Sequence, residues 1–102
     1  MTADTRTVAA TLAIRMAAAQ AGNRKAYESV LVDSAALIRT NALACGVPIT
    51  AIGSIVEAAL MTVHNVRHTY DPSHCYLRWL DAIARLYVGR YLCSTHHHEA
   101  GD

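Results

Sequence analysis

The sequence predicts an all-α fold, a compact bundle of four helices, on three observations. Gly, Pro, Asn and Asp residues interrupt the 102-residue chain at Gly22-Asn23, at Gly46 with Pro48, and at Tyr70-Asp71-Pro72. Between these breaks, apolar side chains recur every three to four residues, the spacing of a packed helical face. No stretch shows the alternating period of a half-buried strand. The length suits one domain, large enough to bury a core but near the size at which stability becomes marginal.

The first helix is predicted over about Asp4 to Ala21, with Val8, Leu12, Met16 and Ala19 on one stripe. Gly22-Asn23 stops it, and Asn23 is placed to cap the second helix. That helix turns Tyr27, Leu31, Ser34, Ile38 and Ala42 inward and ends where Gly46 and Pro48 prevent continuation. Thr50 is the expected cap of the third helix, whose inner side carries Ile52, Ile55, Val56, Ala59, Val63 and Val66. Pro72 forces a turn, and Ser73 is the expected cap of the fourth helix. There Tyr76, Leu80, Ile83, Tyr87 and Tyr91 share a face, with Trp79 and Leu86 beside them. The helical domain is thus expected over residues 1–94, followed by a flexible polar tail over 95–102.

Composition narrows the function classes. A net charge of +1 and an isoelectric point of about 7.8 lack the strong basic excess of a free-standing DNA-binding domain. Hydrophobic residues make up 53% of the chain, but alanine supplies much of this, and no uninterrupted apolar run of about 18 residues is present to cross a bilayer. No secretory signal is recognisable. Cys45, Cys75 and Cys93 are odd in number and have no paired spacing, which fits free thiols in a reducing cytoplasm. The expectation is a cytoplasmic protein with no membrane association.

The segment from His68 to Ser73, His-Thr-Tyr-Asp-Pro-Ser, followed by Tyr76, Trp79, Leu80, Ile83, Ala84 and Arg85, is the most specific pattern in the chain. It resembles the second conserved region of bacterial extracytoplasmic-function sigma factors, in which such a turn precedes an aromatic-x-x-Trp-Leu-x-x-Ile-Ala-Arg helix. Ala18, Gly22, Asn23, Ala26 and Tyr27 match an upstream block of the same family, so the resemblance spans nearly the whole chain. Complete members carry a further helix-turn-helix region, for which no residues remain here.

What the resemblance implies is a role in transcription initiation. In that family the loop between the third and fourth helices captures a flipped promoter base, and the matching residues are Tyr70, Asp71, Ser73 and His74, supported by Tyr76 and Trp79. The alternative reading of the same residues is a capped turn whose Tyr70 closes the core, because Asp-Pro-Ser is good turn chemistry without a ligand. Arg78, Arg85 and Arg90 match basic positions that approach phosphates. Their alternative is a solvated ladder with Asp81, worth a few tenths of a kcal/mol per pair.

Family members also grip the RNA polymerase β′ subunit through an acidic face of the third helix. The corresponding run here, Ala51 to Ala58, has Gly53 and Ser54 in place of two acids, Glu57 in place of an amide and Ala58 in place of the last acid. With Met61 one turn on, this face is small and partly apolar. Such a surface suits a protein partner, an anti-sigma factor or a second copy in a homodimer, better than the clamp of β′.

His64 and His68 stand one helical turn apart, and His74, Cys75 and His96-His97-His98 add further metal-ligand chemistry. No Cys-x-x-Cys or His-Glu-x-x-His pattern organises them, so no metal is expected. Neither a Gly-rich phosphate loop nor a nucleophile elbow nor paired carboxylates with a base is present, and no enzymatic activity or cofactor is expected. Two readings follow: a sigma-like regulator binding single-stranded promoter DNA, or a truncated sigma mimic acting only through protein contacts.

Overall fold

A computed structural model of the protein describes residues 5–101, with side chains described for residues 6–94. The helices are α1 (Thr5–Gln20), α2 (Arg24–Ala44), α3 (Ile49–Val66) and α4 (Tyr76–Gly101), with a 3₁₀ turn at Arg67–Thr69 between the last two. No strand occurs among the described residues, as the periodicity requires. The tail expected over 95–102 lies outside the residues whose side chains are described.

Both interhelical breaks use glycine for the same reason. Gly22 and Gly46 have φ of +106° and +89°, a left-handed conformation that a side chain would strain. Around each, the chain closes with a paired 6→1 and 5→2 bond: Asn23 N–H to Ala18 O and Gly22 N–H to Ala19 O, then Val47 N–H to Ala42 O and Gly46 N–H to Leu43 O. Val47, the residue after the second glycine, is buried in the same core as Ala42. Asn23 caps α2 as the sequence indicates, its side-chain oxygen accepting from Ala26 N–H at 3.0 Å, which contributes about 1 kcal/mol.

Two cap expectations need correcting. The N-cap of α3 is Pro48, without a side-chain bond, and Thr50 lies inside the first turn. Proline there supplies a fixed φ of −67° at a position whose N–H has no helical partner to lose. Ser73 does not cap α4, because its hydroxyl donates to Asp71 Oδ1 at 2.8 Å instead. α4 begins at Tyr76, with Trp79 N–H bonded to Cys75 O.

α2 packs against the other three helices, and α4 closes on α3 and, more lightly, on α1. Leu12 and Met16 of α1 meet Val30 and Ile38 of α2, Ile52, Ile55 and Val63 of α3, and Tyr76, Leu80 and Val88 of α4 in one core. Each large side chain so buried contributes about 1.5–3 kcal/mol. Ala42, Ala59 and Ala84, one on each of α2, α3 and α4, are buried to 1% exposure or less. The inner face of α4 is therefore Tyr76, Leu80, Ala84 and Val88, with Ile83, Tyr87 and Tyr91 on its shoulder. Leu86, expected beside that face, is 45% exposed.

The core contains one buried polar pair, the hydroxyls of Ser34 and Tyr76 at 2.8 Å. No buried side-chain polar atom lacks a partner among the described residues. On the outside, Arg15 joins α1 to α2 through Asp33 at 3.0 Å and Ser29 at 2.9 Å, a half-exposed pair worth at most about 1 kcal/mol.

Candidate nucleic-acid interface

The turn between α3 and α4 is shaped by proline and fixed by side chains from elsewhere. Pro72 disfavours helical backbone at the preceding residue, and the chain is already extended at Tyr70 (φ −71°, ψ 129°). The Gln20 side-chain amide, at the end of α1, donates to Arg67 O at 2.9 Å and Tyr70 O at 2.8 Å. One residue of α1 thereby brackets the 3₁₀ turn, bonding its first residue and the residue just after it.

Beneath the turn lies an aromatic cluster. Tyr70 sits edge-on to Tyr76 with centroids 5.3 Å apart and packs on Trp79 at 5.3 Å, while Tyr76 and Trp79 are 5.5 Å apart. The Tyr70 hydroxyl donates to the His74 carbonyl. Burial pushes the Tyr70 phenol up, with Cys75 and Asp71 adding in the same direction. At 3% exposure Tyr70 presents no ring face to a base. It closes the core, the alternative that the Asp-Pro-Ser chemistry leaves open.

Asp71, Ser73 and His74 are together on the exposed side. Asp71 Oδ1 accepts the Ser73 N–H at 2.9 Å and its hydroxyl at 2.8 Å, and the His74 N–H bonds to Asp71 O at 2.9 Å. The His74 ring nitrogen Nδ1 lies 3.7 Å from Asp71 Oδ2. The Ser73 amide, then its hydroxyl, and the nearby His74 ring hold the Asp71 carboxyl below its usual value. The result is a fixed polar edge with a carboxylate, a hydroxyl and an imidazole on a hydrophobic base.

The three arginines separate. Arg78 is exposed, one turn from the polar edge, with no ion pair among the described residues. Arg85 Nε is 2.8 Å from Asp81 Oδ2, and Asp81 Oδ1 accepts from Asn41 Nδ2 at 2.8 Å. The expected ladder is thus formed by Asp81 and Arg85 without Arg78. Arg90 lies with its guanidinium 5.5 Å from the Tyr87 ring centroid. At 1.5 Å of rise per residue, Arg90 is roughly 18 Å along α4 from Arg78.

On α3, Ser54 and Glu57 are exposed, Ala58 is half-buried and Met61 is 57% exposed. They form an outward face distant from the inner row Ile52, Ile55, Ala59 and Val63. The segment Ile49–Thr69, with mean hydropathy 1.4, is long and apolar enough by length and composition to cross a membrane, although it contains no uninterrupted apolar run of that length. Averaged hydropathy tolerates its scattered Thr, Ser and Gly residues, which an uninterrupted apolar run does not. In this structure the helix turns its apolar row into the bundle core.

Sequence reasoning missed several contacts. Tyr27 hydroxyl and His64 Nδ1 are 2.7 Å apart, and the Arg67 guanidinium lies 5.7 Å from the Tyr27 ring centroid. Gln20 and Asn41 likewise reach partners more than 35 residues away, for which local sequence carries no signal. Among the described residues no group of three or more His, Cys, Asp or Glu side chains is placed to hold a metal, and Cys45, Cys75 and Cys93 are exposed free thiols. His96, His97 and His98 lie outside the residues with described side chains. The chain matches no protein-family model, no curated protein and no solved structure.

Proposed function

We propose that this protein is a sigma-factor-like, non-enzymatic transcription regulator of the bacterial cytoplasm. Its α3–turn–α4 segment binds single-stranded promoter DNA in the context of RNA polymerase. The observation that carries this reading is the polar edge of Asp71, Ser73 and His74, exposed and held rigid by Tyr70, Trp79 and Gln20. An unpaired base offers its hydrogen-bonding edge, and a carboxylate, a hydroxyl and an imidazole at fixed positions supply acceptors and donors to read it. Because the edge is ordered before binding, little conformational freedom is lost on capture. Arg78 stands ready for an adjoining phosphate.

Fluorescence anisotropy with labelled single-stranded oligonucleotides tests this. Asp71→Ala/His74→Ala is expected to lose roughly tenfold or more in affinity while keeping its helicity, as loss of good base contacts costs on the order of 1–3 kcal/mol. Equal binding by the variant, or none by the wild type, removes the DNA role.

A second reading is favoured by the outer face of α3, where Met61 is exposed beside Ser54, Glu57 and Ala58. There the protein acts as a sigma mimic that occupies an anti-sigma factor or pairs with itself. Capture of the tagged protein from its native lysate separates the two, since recovery of β′ supports initiation and recovery of an anti-sigma protein supports the mimic.

A further inference from the structure

We propose that the phosphate backbone of the bound strand leaves the turn over Arg67 and His68 onto Arg24 and Lys25 at the start of α2, and does not run along α4. This rests on the DNA reading above and names where the backbone lies. Of the basic residues that the family resemblance assigns to phosphates, Arg78 stands beside the turn, while the two further along α4 are poorly placed for them. Arg85 is neutralised by Asp81, and Arg90 is drawn onto Tyr87 far down the helix.

On the opposite side of the turn the charges are available. A depression of about 610 Å³ lies beside the 3₁₀ turn, walled by Gln20, Arg67 and His68 over Ala19 and Gly22, and no carboxylate lines it. Arg24 and Lys25 open the next helix, one residue past Gly22, are exposed, and have no ion pair among the described residues. Glu28, the next acid along α2, is exposed and unpaired with either. Three of the nine Lys and Arg residues of the chain therefore belong to the two segments that border the depression, the 3₁₀ turn and the start of α2 after Gly22, which a net charge of +1 conceals.

The Arg67 guanidinium is oriented before any ligand arrives. One N–H bonds to His64 O, and the group lies over the Tyr27 ring, leaving four of its five N–H donors for an anion. Gln20 ties this depression to the polar edge, because its amide holds the carbonyls of both Arg67 and Tyr70. On this path the phosphates adjoining a base read at residues 71–74 fall to Arg67 and His68, and the next ones to Arg24 and Lys25.

The test is the salt dependence of binding to a labelled single-stranded 16-mer, measured by anisotropy for the full chain. Arg24→Gln/Lys25→Gln/Arg67→Gln should bind roughly tenfold more weakly at low salt, and its slope of log affinity against log salt should fall by about 2, at about 0.7 per single-strand phosphate contact. Arg85→Gln/Arg90→Gln should leave the slope unchanged. Should the triple variant lose helicity, Arg24→Gln/Lys25→Gln, which removes no packing, should still lower the slope by about 1.4. An unchanged slope in these variants, with a reduced one in Arg85→Gln/Arg90→Gln, puts the backbone on α4 and overturns the inference while leaving the DNA reading intact. Failure of the wild type to bind, with Asp71→Ala/His74→Ala indistinguishable from it, overturns both.

Discussion

Ser34 of α2 and Tyr76 of α4 share a hydrogen bond of 2.8 Å inside the core, and both side chains are fully buried. Removing one partner alone strands the other in an apolar site. Ser34→Ala should therefore destabilise by about 1–3 kcal/mol, and Ser34→Ala/Tyr76→Phe should recover part of that loss. Urea denaturation of the two variants checks this, and equal losses would mean that packing rather than the bond dominates.

The same tyrosine predicts alkaline behaviour. Burial pushes the Tyr76 phenol up to about 12, with the Ser34 bond opposing and the neighbouring Tyr27 and Tyr70 adding to the rise. A folded-state value raised above the unfolded value of about 10 gives stability that is whole below pH 10 and is lost as pH rises through 12. The loss should be on the order of 2 kcal/mol, and it should shrink in Tyr76→Phe. Denaturation midpoints at pH 8, 10 and 11.5 measure it.

Asp71 acts at the other end of the pH scale. Its carboxyl is lowered chiefly by the Ser73 amide and then by the Ser73 hydroxyl, so its contribution to stability is present above about pH 3.8 and disappears as pH falls through its lower folded value. Ser73→Ala removes the hydroxyl bond and should move the carboxyl part of the way back toward its ordinary value. A carboxyl NMR titration of Asp71 reads this directly, and an unmoved midpoint would leave the amide and the His74 ring as the causes.

Gln20→Ala should loosen the turn without melting the bundle. Its two carbonyl partners sit at the surface end of the link, where water can replace a bond, so the cost is about 1 kcal/mol. Amide exchange over residues 70–75 should accelerate, while that of Ile55 to Val63 stays slow. Uniform acceleration would show that the amide supports the whole domain.

Gly53 lies exposed within α3, and a methyl group on its Cα would meet nothing within 4 Å. Gly53→Ala should stabilise by about 0.5–1 kcal/mol, whereas Gly46→Ala, at φ +89°, should destabilise by a similar amount or more. Thermal melts of the two give opposite shifts if both assignments hold.

Helix number, the two glycine stops, the Asn23 cap and the inner row of α3 are legible in the sequence because each follows from local chemistry or period. Caps are less so: Thr50 and Ser73 have the right chemistry, but Pro48 starts α3 earlier and Asp71 takes the Ser73 hydroxyl. The inner face of α4 is centred away from the stripe that the large residues suggest, since small Ala84 gives little hydrophobic signal beside Tyr87 and Leu86, although it is the residue that faces inward. At the candidate interface, the exposed group Asp71, Ser73 and His74 emerges from the turn motif, while the burial of Tyr70 and the Asp81–Arg85 pair depend on tertiary placement.

Ala42, Ala59 and Ala84 reverse the usual ranking of core positions by size. A large residue such as Leu12 can be trimmed with the damage confined to a void, but an alanine that separates two helix axes cannot grow without displacing an entire rod. Because α4 carries the aromatic seat of the turn, an added methylene at Ala84 would be felt at Asp71, more than a dozen residues and one helix end away. The tolerance of this domain to sequence drift is therefore set by its smallest side chains, and the positions that look most replaceable are those where variation would first misalign the surface.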